Sequence, residues 1–569
     1  MELRRCKRCI LLPSFGLLPV LKKLIIEGMG SIEAIGSEFY GQHGSFPSLV
    51  ELVFRNMLEW REWTSPTGSA GEFPCLHKLV IENCPKLLGQ LPNNLSSLKE
   101  LDVSSCNGML LKSMSLPSLK ELSISYCNEV LFKSMVDLTS LTNLRIGQIS
   151  ELTCLPESFT QSCTALETLY ISNCNDLTCL WEEGTDIEQT LLPFNLKHLI
   201  LQNCRALESL PNAMMIRMDG SSSNNTSMLM SRLERLEIRY CDSLKSFPRG
   251  KLPSSLKYLS INECKGLESL PDADGDNLHL EIMNVSCLYS SQGSCHQLSA
   301  FLKKFRVTDG GEWLESFPER MLQNCTGLQS IFISNCKILK SLPNLNYGSN
   351  LVELYIYRCE VLESIPEELW SCTPNLKQLW IQECENFKSL PNTMYQLKFL
   401  QTLWMFHCPS IEFIPDGGLP PNLIDLQLIW CKNLKCVPNT MYQLTSIQDL
   451  VLSDEALMMG LQNLTSLRSL TIMEKFPLDI VLPSTLTYLQ IEKEENLESI
   501  PGGLFQNLSS LQSLEIRNCP KLRSLPKEAF PPSLGQLYIH GCPHLNRQRF
   551  EAGGDYWTLT WSIPDVSVY

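Results

Sequence analysis

Two short clusters of cysteine and histidine have the residue types and spacing of metal ligands. Cys6 and Cys9 are separated by two residues, and His540, Cys542 and His544 alternate near the carboxyl end. Thiolate and imidazole are the usual ligands of structural zinc, which takes four of them. The first cluster lacks the second cysteine pair that such a site needs. Each cluster also contains a cysteine that a repeating frame explains, so we expect no metal and no cofactor.

The repeating frame is L-x-x-L-x-[ILV]-x-x-C-x-x-L-x-x-L-P, and it runs through almost the whole chain. Clear copies begin at Leu76, Leu196, Leu256, Leu328, Leu351, Leu376, Leu400, Leu423, Leu511 and Leu534. Weaker copies begin at Leu21, Leu49, Leu98, Leu119, Leu141, Leu166, Leu233, Leu302, Ile447, Leu467 and Leu486, with a degraded one near 278–282. The copies make about 22 units at an average spacing of about 24 residues. A leucine-rich repeat has 20–29 residues.

The spacing of the frame predicts one short strand in each unit. Its central L-x-I alternates with a period of two, so the aliphatic residues point inward and the residues between them point outward. One unit alone cannot bury enough apolar surface, and stacked neighbours supply the remainder. We expect an α/β solenoid: a leucine-rich-repeat horseshoe with a concave parallel sheet and a mostly irregular, short-helical convex side. The solenoid is predicted for 1–545, with a truncated first repeat, and a carboxyl-terminal cap for 546–569.

Fifteen of the 25 cysteines occupy the same frame position. They are Cys6, Cys84, Cys106, Cys127, Cys174, Cys204, Cys241, Cys264, Cys336, Cys359, Cys384, Cys408, Cys431, Cys519 and Cys542. We expect each thiol to turn inward and to bond the backbone of the turn after its strand, as a small buried residue with a weak donor. Reduced buried thiols favour an intracellular location.

Enzyme activity is not expected, because none of the common nucleotide-binding, metalloprotease or serine-hydrolase motifs is present. A net charge of −14 and the lack of a Lys/Arg cluster disfavour binding to nucleic acid. No apolar run is long enough to span a membrane. The basic start followed by an apolar stretch is superficially like a signal peptide, but Pro13 and Pro19 interrupt it.

A local group of aromatic residues occupies outward positions of the frame. We call it the aromatic face; it comprises Phe332, Tyr355, Tyr357, Trp380, Trp404 and Phe406, with His407 and Trp430 beside them. Other units carry different residues at the first of these positions, for example Asp102, Arg145 and Ser260. Aromatic residues suit strands and stack on one another, so packing is one interpretation. The other, which we adopt as the hypothesis, is a protein-binding hot spot.

Several stretches resemble one known family. "LPSFGLLPVLKKLIIEGMGSIEAIGSEFYG" and "FPSLVELVFRNMLEWREW" in 12–63, the "CPKL…LP" units and "GCPHL…DYWTLTWSIPDV" in 541–566 are similar to the leucine-rich-repeat region of plant intracellular nucleotide-binding disease-resistance receptors of the coiled-coil class. The chain lacks that family's P-loop and begins inside a repeat, so we expect a fragment, a truncated gene product or a partial gene model. The nucleotide-driven signalling of the family is not assigned to these residues.

The resemblance implies a non-enzymatic recognition module of plant innate immunity in the cytoplasm, with the nucleus as a second compartment. Its partner would be a pathogen effector, a host target or the receptor's own switch domain, bound through the concave sheet. No nucleic acid and no membrane is expected as a partner, and the sequence leaves the oligomeric state open. An extracellular leucine-rich-repeat protein is the alternative, and glycans at Asn94 or Asn507 would favour it. A ubiquitin-transfer adaptor would need an F-box helix, which is not visible.

Overall fold

The computed structural model divides the chain into two compact units, Met1–Ser299 and Ala300–Tyr569. It describes residues 1–41, 45–64, 72–92, 95–110, 116–129, 138–156, 162–181, 195–211, 231–248, 251–268, 278–286, 298, 300–310, 314–317, 321–342, 345, 350–414, 418–434, 444–453, 460–477, 479–526 and 530–569. Asn94 and nearly all of the Ser/Asn-rich stretch at 212–231 lie outside these residues.

Each of the two compact units is built on short strands that recur at the spacing of the sequence frame. In the first unit they are β1 (Glu2–Arg4), β2 (Lys23–Glu27), β3 (Ala34–Ile35), β4 (Glu51–Arg55), β5 (Glu62–Trp63), β6 (Lys78–Glu82), β7 (Gly89–Gln90), β8 (Glu100–Ser104), β9 (Met109–Leu110), β10 (Glu121–Ser125), β11 (Asn143–Gly147), β12 (Thr168–Ser172), β13 (His198–Gln202), β14 (Arg235–Arg239), β15 (Tyr258–Asn262) and β16 (Ile282–Ser286).

The second unit continues the same pattern. Its strands are β17 (Lys304–Thr308), β18 (Ser330–Ser334), β19 (Glu353–Tyr357), β20 (Gln378–Gln382), β21 (Thr402–Phe406), β22 (Asp425–Ile429), β23 (Asp449–Leu452), β24 (Ser469–Met473), β25 (Tyr488–Glu492), β26 (Ser513–Arg517), β27 (Gln536–His540) and β28 (Asp565–Val568).

The main strands are all those named above except the two-residue strands β3, β5, β7 and β9. They pair in parallel and in register, so that each frame residue lies opposite a frame residue of the next strand. Between β20 and β21, for example, Leu379 lies opposite Leu403 and Ile381 opposite Met405. Three of these side chains have no exposed area and Met405 has 1%, so the alternating residues form the core as the frame predicts. The predicted parallel-sheet leucine-rich-repeat solenoid is confirmed, because a main strand begins two residues after the first leucine or isoleucine of each clear or weak copy of the frame.

A left-handed residue ends most of the main strands. Glu383, His407 and Trp430 have φ angles of 52°, 52° and 54° directly after β20, β21 and β22. The amide of Glu383 donates to the carbonyl of Phe406, 2.7 Å away, at the end of the next strand. Asn tolerates this region of backbone space better than most residues, and Asn occupies the same position in several repeats. The left-handed residue turns the chain so that the following cysteine faces inward.

Between the strands the described residues are mostly irregular, with short helical segments. The described α-helices are α1 (Ser37–Tyr40), α2 (Glu367–Cys372) and α3 (Trp557–Thr560), and the described 3-10 helices are Phe15–Leu17, Asn392–Gln396, Leu461–Asn463 and Arg547–Arg549. None of the described helices has the length and apolar character that a bilayer crossing requires.

The frame cysteines bond the backbone as predicted. The Sγ of Cys408 donates to the carbonyl of Phe406 at 3.6 Å and lies 3.5 Å from the carbonyl of Ile381 in the preceding repeat. Burial raises the pKa of Cys431 to about 11. The prediction that all fifteen are buried is wrong for Cys6, which is exposed; it follows β1, whose pairing within the described residues is with β2.

The two sequence clusters with metal-like spacing have backbone partners in the structure. The Sγ of Cys9 donates to the carbonyl of Leu11 at 3.0 Å, and the Sγ of Cys542 to the carbonyl of His540 at 3.6 Å. The described residues contain no group of three or more His, Cys, Asp or Glu side chains placed to hold a metal ion.

The stretch that carries the family resemblance forms an aromatic core in the first unit. Phe46 and Phe73 stack with ring centroids 5.2 Å apart, and Phe54 packs against Trp60 at 4.7 Å. The indole nitrogen of Trp63 donates to the Tyr40 hydroxyl at 2.9 Å. Rings replace the usual aliphatic filling here, which explains why this block differs in sequence from the generic repeat.

The last residues continue the second unit as an ordered segment. Strand β28 pairs in parallel with β27, with Val566 opposite Leu537. The guanidinium of Arg549 binds the Asp555 carboxylate at 3.0 Å and lies over the Tyr556 ring at 4.8 Å. The division into a solenoid at 1–545 and a cap at 546–569 stays a prediction.

Candidate protein-binding face

The aromatic face lies on the outward side of strands β18–β21 in the second unit. In-register pairing places Phe332 opposite Tyr355, Tyr355 opposite Trp380 and Trp380 opposite Trp404. Neighbouring strands are about 4.8 Å apart, which is close to the distance at which aromatic rings pack. Each ring is half-buried by its neighbours rather than fully exposed. The repeat therefore aligns side chains from four separate segments into one row.

The two tryptophans in the row form a parallel stack. Their ring centroids are 4.7 Å apart and their planes differ by 8°. Tyr355 meets Trp380 edge to face at 4.3 Å, with an interplanar angle of 84°. The indole N–H of Trp380 is buried and has no hydrogen-bond partner within the described residues. Trp380 is thus enclosed by its neighbours, whereas among the described residues Trp404 has a ring neighbour on one face only.

Trp404 is held in place by an acidic residue of the next strand. Its Nε1–H donates to Oδ2 of Asp425 at 2.7 Å, and the Gln427 side chain donates to Oδ1 of the same carboxylate at 3.3 Å. Burial raises the pKa of Asp425, while these two hydrogen bonds oppose the increase. The carboxylate therefore fixes the edge of the indole at the cost of partial desolvation.

A second set of rings lies at the carboxyl ends of strands β21 and β22. Phe406 and Trp430 pack with centroids 4.7 Å apart, and His407 meets Trp430 edge to face at 6.5 Å. The backbone amide of Trp430 donates to the Ser453 hydroxyl at 2.6 Å. His407 and Trp430 both occupy the left-handed position after a strand. The structure thus places them in the turn beside the sheet, where they extend the aromatic face.

An open cavity of about 510 Å³ lies at one end of the row. Its lining includes Phe332, Tyr355, Trp380, Arg306 and Glu353. Burial raises the pKa of Tyr355, Glu353 raises it further and Arg306 lowers it. The cavity therefore has aromatic walls, one arginine and two glutamates, Glu353 and Glu383, which is the composition of a site for a polar or amphipathic side chain.

Tyr357 also lines this cavity and belongs to a polar network. Its hydroxyl donates to Oε1 of Glu383 at 3.1 Å, and the guanidinium of Arg358 binds Oε2 of the same carboxylate at 2.5 Å. Burial and the Glu383 carboxylate raise the pKa of Tyr357. The network fixes the tyrosine ring at the border of the aromatic face.

Sequence reasoning located the rings and missed the groups that orient them. Asp425 and Asp449 lie opposite each other on β22 and β23, next to the tryptophan stack. The sequence did contain a signal for them, because each is the first residue of its strand, and the two strands belong to consecutive repeats. The structure assembles side chains that can bind by apolar contact, by ring stacking and through carboxylate oxygens.

Parallel in-register strands with buried frame leucines, and thiols bonded to the turn backbone, define a leucine-rich-repeat protein. Within that class the chain is similar to plant disease resistance proteins, which confirms the family resemblance. It is 28% identical over 635 aligned residues to an Arabidopsis thaliana protein named as a disease resistance protein, covering 100% of this chain and 44% of that protein. No family model matches the chain.

Shorter regions are more similar to two other relatives. An RPP13-like disease resistance protein of Arabidopsis thaliana is 41% identical over 114 residues, which are 18% of this chain and 11% of that protein. The disease resistance protein RGA4 of Solanum bulbocastanum is 30% identical over 172 residues, 29% of this chain and 15% of that one. In each of these alignments the chain spans less than half the length of the relative.

Solved structures with leucine-rich repeats give weaker similarities. The Leptospira interrogans protein LIC12759 superposes with a TM-score of 0.38 at 19% identity, over 80% of this chain and 90% of that one. The leucine-rich-repeat domain of the type III effector XopL gives a TM-score of 0.29 at 23% identity, over 40% and 73%. The strand register and buried frame residues, rather than these superpositions, define the class.

Proposed function

We propose that the chain is a non-enzymatic protein-recognition module of plant innate immunity. It binds a pathogen effector, a host target or the switch domain of its own receptor through the aromatic face. The observation that carries this proposal is the row formed by Phe332, Tyr355, Trp380 and Trp404, one ring from each of four strands. The similarity to plant disease resistance proteins supports the biological setting.

The chemistry of the row favours binding over packing alone. Tryptophan and tyrosine are enriched among the residues that dominate interface free energy. Stacking across strands fixes their rotamers before a partner arrives, which reduces the entropy lost on association. A rigid, partly desolvated aromatic surface is the arrangement that interface hot spots share.

A cytoplasmic location, with the nucleus as a second compartment, is part of the proposal. The frame thiols act as S–H donors to backbone carbonyls, as in Cys384 to Gln382 at 3.3 Å, and this role requires the reduced form. Reducing compartments keep thiols in that form. An extracellular location would instead be indicated by a glycan at Asn507, whose side chain is exposed.

The proposal is tested by removing both stacked indoles. Trp380→Ala with Trp404→Ala should abolish retention of the partner when the immobilised chain is incubated with plant extract and bound proteins are identified by mass spectrometry. Trp561→Ala is the matched control, because that indole is 72% exposed and lies outside the aromatic face. Retained proteins are then purified and titrated against the same variants. Identical partner sets for the wild type and the double variant would contradict the proposal.

A further inference from the structure

Trp404 offers one ring face that no ring of the row covers. Trp380 stacks on the side of β20 at 4.7 Å, so the other face of Trp404 points towards β22. The residue opposite Trp404 on β22 is Gln427, whose amide is turned to Asp425. The second face of the indole therefore looks onto Gln427, and the indole as a whole stays partly exposed.

Other rings of the aromatic face already carry cations of the chain itself. The guanidinium of Arg306 lies 5.7 Å from the Phe332 ring centroid, and that of Arg358 lies 4.8 Å from Tyr357. Similarly, the Lys493 ammonium lies 4.9 Å from the Trp430 ring. Among the described residues no Lys or Arg is placed over Trp404, although tryptophan is the strongest cation–π acceptor.

Negative charge is concentrated around the same indole. Asp425 and Asp449 are cross-strand neighbours, a like-charged pair that destabilises the sheet. The Asp449 carboxylate has no hydrogen bond or ion pair in the described part of the chain, and its side chain is exposed. The outward strand positions of β18–β25 include Glu353, Asp425, Asp449 and Glu492, and no Lys or Arg. This surface is complementary to a partner of positive charge.

We propose that the aromatic face recognises an arginine-bearing segment of its protein partner. The guanidinium packs against the exposed part of the Trp404 indole, and its N–H groups pair with the carboxylates of Asp425 and Asp449. Arginine fits better than lysine, because a planar guanidinium can stack and donate in a fork at the same time. This inference rests on the proposed function, since it specifies the chemistry of the partner for the same face.

The test uses defined peptides as probes. Fluorescein-labelled peptides of alternating glycine and arginine, glycine and lysine, and glycine and citrulline are titrated against the full chain by fluorescence anisotropy. Citrulline has the shape of arginine without its charge. We expect the arginine peptide to bind more tightly than the lysine peptide and at least about fivefold more tightly than the citrulline peptide.

Matched variants separate the site from the overall acidity of the chain. Asp425→Asn with Asp449→Asn should weaken the arginine peptide at least about fivefold. Glu360→Gln with Glu385→Gln removes the same charge from exposed positions outside the sheet and should leave binding unchanged. Trp404→Leu should remove the preference for arginine over lysine, whereas Trp561→Leu should preserve it. Circular dichroism confirms that each variant is folded.

Equal affinity for the arginine and citrulline peptides would overturn the inference. So would equal loss of binding in the Asp425/Asp449 variant and the Glu360/Glu385 variant. If either occurs while partner capture still depends on Trp380 and Trp404, the proposed function stands and this inference falls. If capture is also independent of the two tryptophans, both fall.

Discussion

Trp380 and Trp404, 24 residues apart in sequence, form a parallel indole stack with centroids 4.7 Å apart. The repeat makes this contact possible by setting the two residues opposite each other on β20 and β21. Their stacking couples the stability of adjacent repeats through the outward side of the sheet, in addition to the aliphatic core. The two indoles therefore contribute to the packing of the sheet on the same side that we propose as the binding face.

The first prediction concerns the coupling free energy of this pair. Trp380→Ala, Trp404→Ala and the double variant should give a coupling of about 0.5–1.5 kcal/mol, because each single change already removes the stack. Urea unfolding followed by circular dichroism measures it. Trp380→Ala combined with Tyr538→Ala, on the distant strand β27, should be additive within about 0.5 kcal/mol. A coupling near zero for the tryptophan pair would show that the stack contributes no stability.

The second prediction concerns the pH dependence contributed by Asp425. Burial raises the pKa of this carboxyl in the folded state, so the native protein binds the proton more tightly than the unfolded chain. The ionised carboxylate consequently destabilises the fold above the folded-state pKa. This destabilisation is relieved as pH falls towards about 3.9, the ordinary value for Asp. Asp425→Asn should therefore raise the melting temperature at pH 7, with a gain that shrinks on acidification.

Thermal melts of the wild type and Asp425→Asn between neutral and mildly acidic pH measure this difference. The substitution removes the charge and keeps an oxygen that can accept the Trp404 N–H, while the Gln427 amide must turn to place its oxygen against the new NH2 group. Glu385→Gln, at an exposed position outside the sheet, serves as the charge-matched control. A melting difference that stays constant with pH would show that titration of Asp425 does not contribute.

The third prediction concerns the left-handed residue after a strand. Glu474 follows β24 with a φ of 67° and an exposed side chain. Glu474→Val should lower the free energy of unfolding by about 1–2 kcal/mol, because a β-branched side chain clashes with the backbone in this conformation. Glu474→Asn should be neutral or stabilising. Glu495→Val, at an exposed position with negative φ, is the control, and equal losses at the two positions would contradict the explanation.

The fourth prediction concerns thiol reactivity. Cys6 and Cys75 are exposed, whereas the frame cysteines other than Cys6 are buried. Burial also raises the pKa of Cys127 and of Cys431 to about 11, which lowers their thiolate fraction near neutral pH. Iodoacetamide should therefore label Cys6 and Cys75 in the native protein and reach the buried frame thiols after unfolding. Peptide mass spectrometry compares the two states; rapid native labelling of Cys431 would argue against its burial.

The strand positions could be predicted from the sequence because a period of two, repeated at about 24 residues, allows one register. A shift by one residue would move Leu379 and Ile381 to solvent in a single step. The inward direction of the thiols followed from the same geometry. Even the degraded copy near 278–282, to which β16 belongs, retains Leu280, Met283 and Val285 in the core, and this explains why a strand forms there.

The orientation of the aromatic face could be predicted only in part. The frame places Trp380 on the outward side, but its half-buried state depends on the rotamers of Tyr355 and Trp404. The bond from Trp404 to Asp425 joins residues 21 positions apart and depends on side-chain torsions that the period does not fix. The left-handed residues were missed because Glu, His and Trp there give no backbone signal comparable to glycine.

The register of the main strands has a consequence for how such a surface can change over generations. Leu354, Leu379 and Leu403 follow one another without offset in β19, β20 and β21. Loss of the whole repeat that carries Leu379 would bring β19 and β21 together with matching cores, while Tyr355 would become the neighbour of Trp404. Unequal recombination between repeats can therefore edit the order of side chains offered to a partner and leave the hydrophobic scaffold intact.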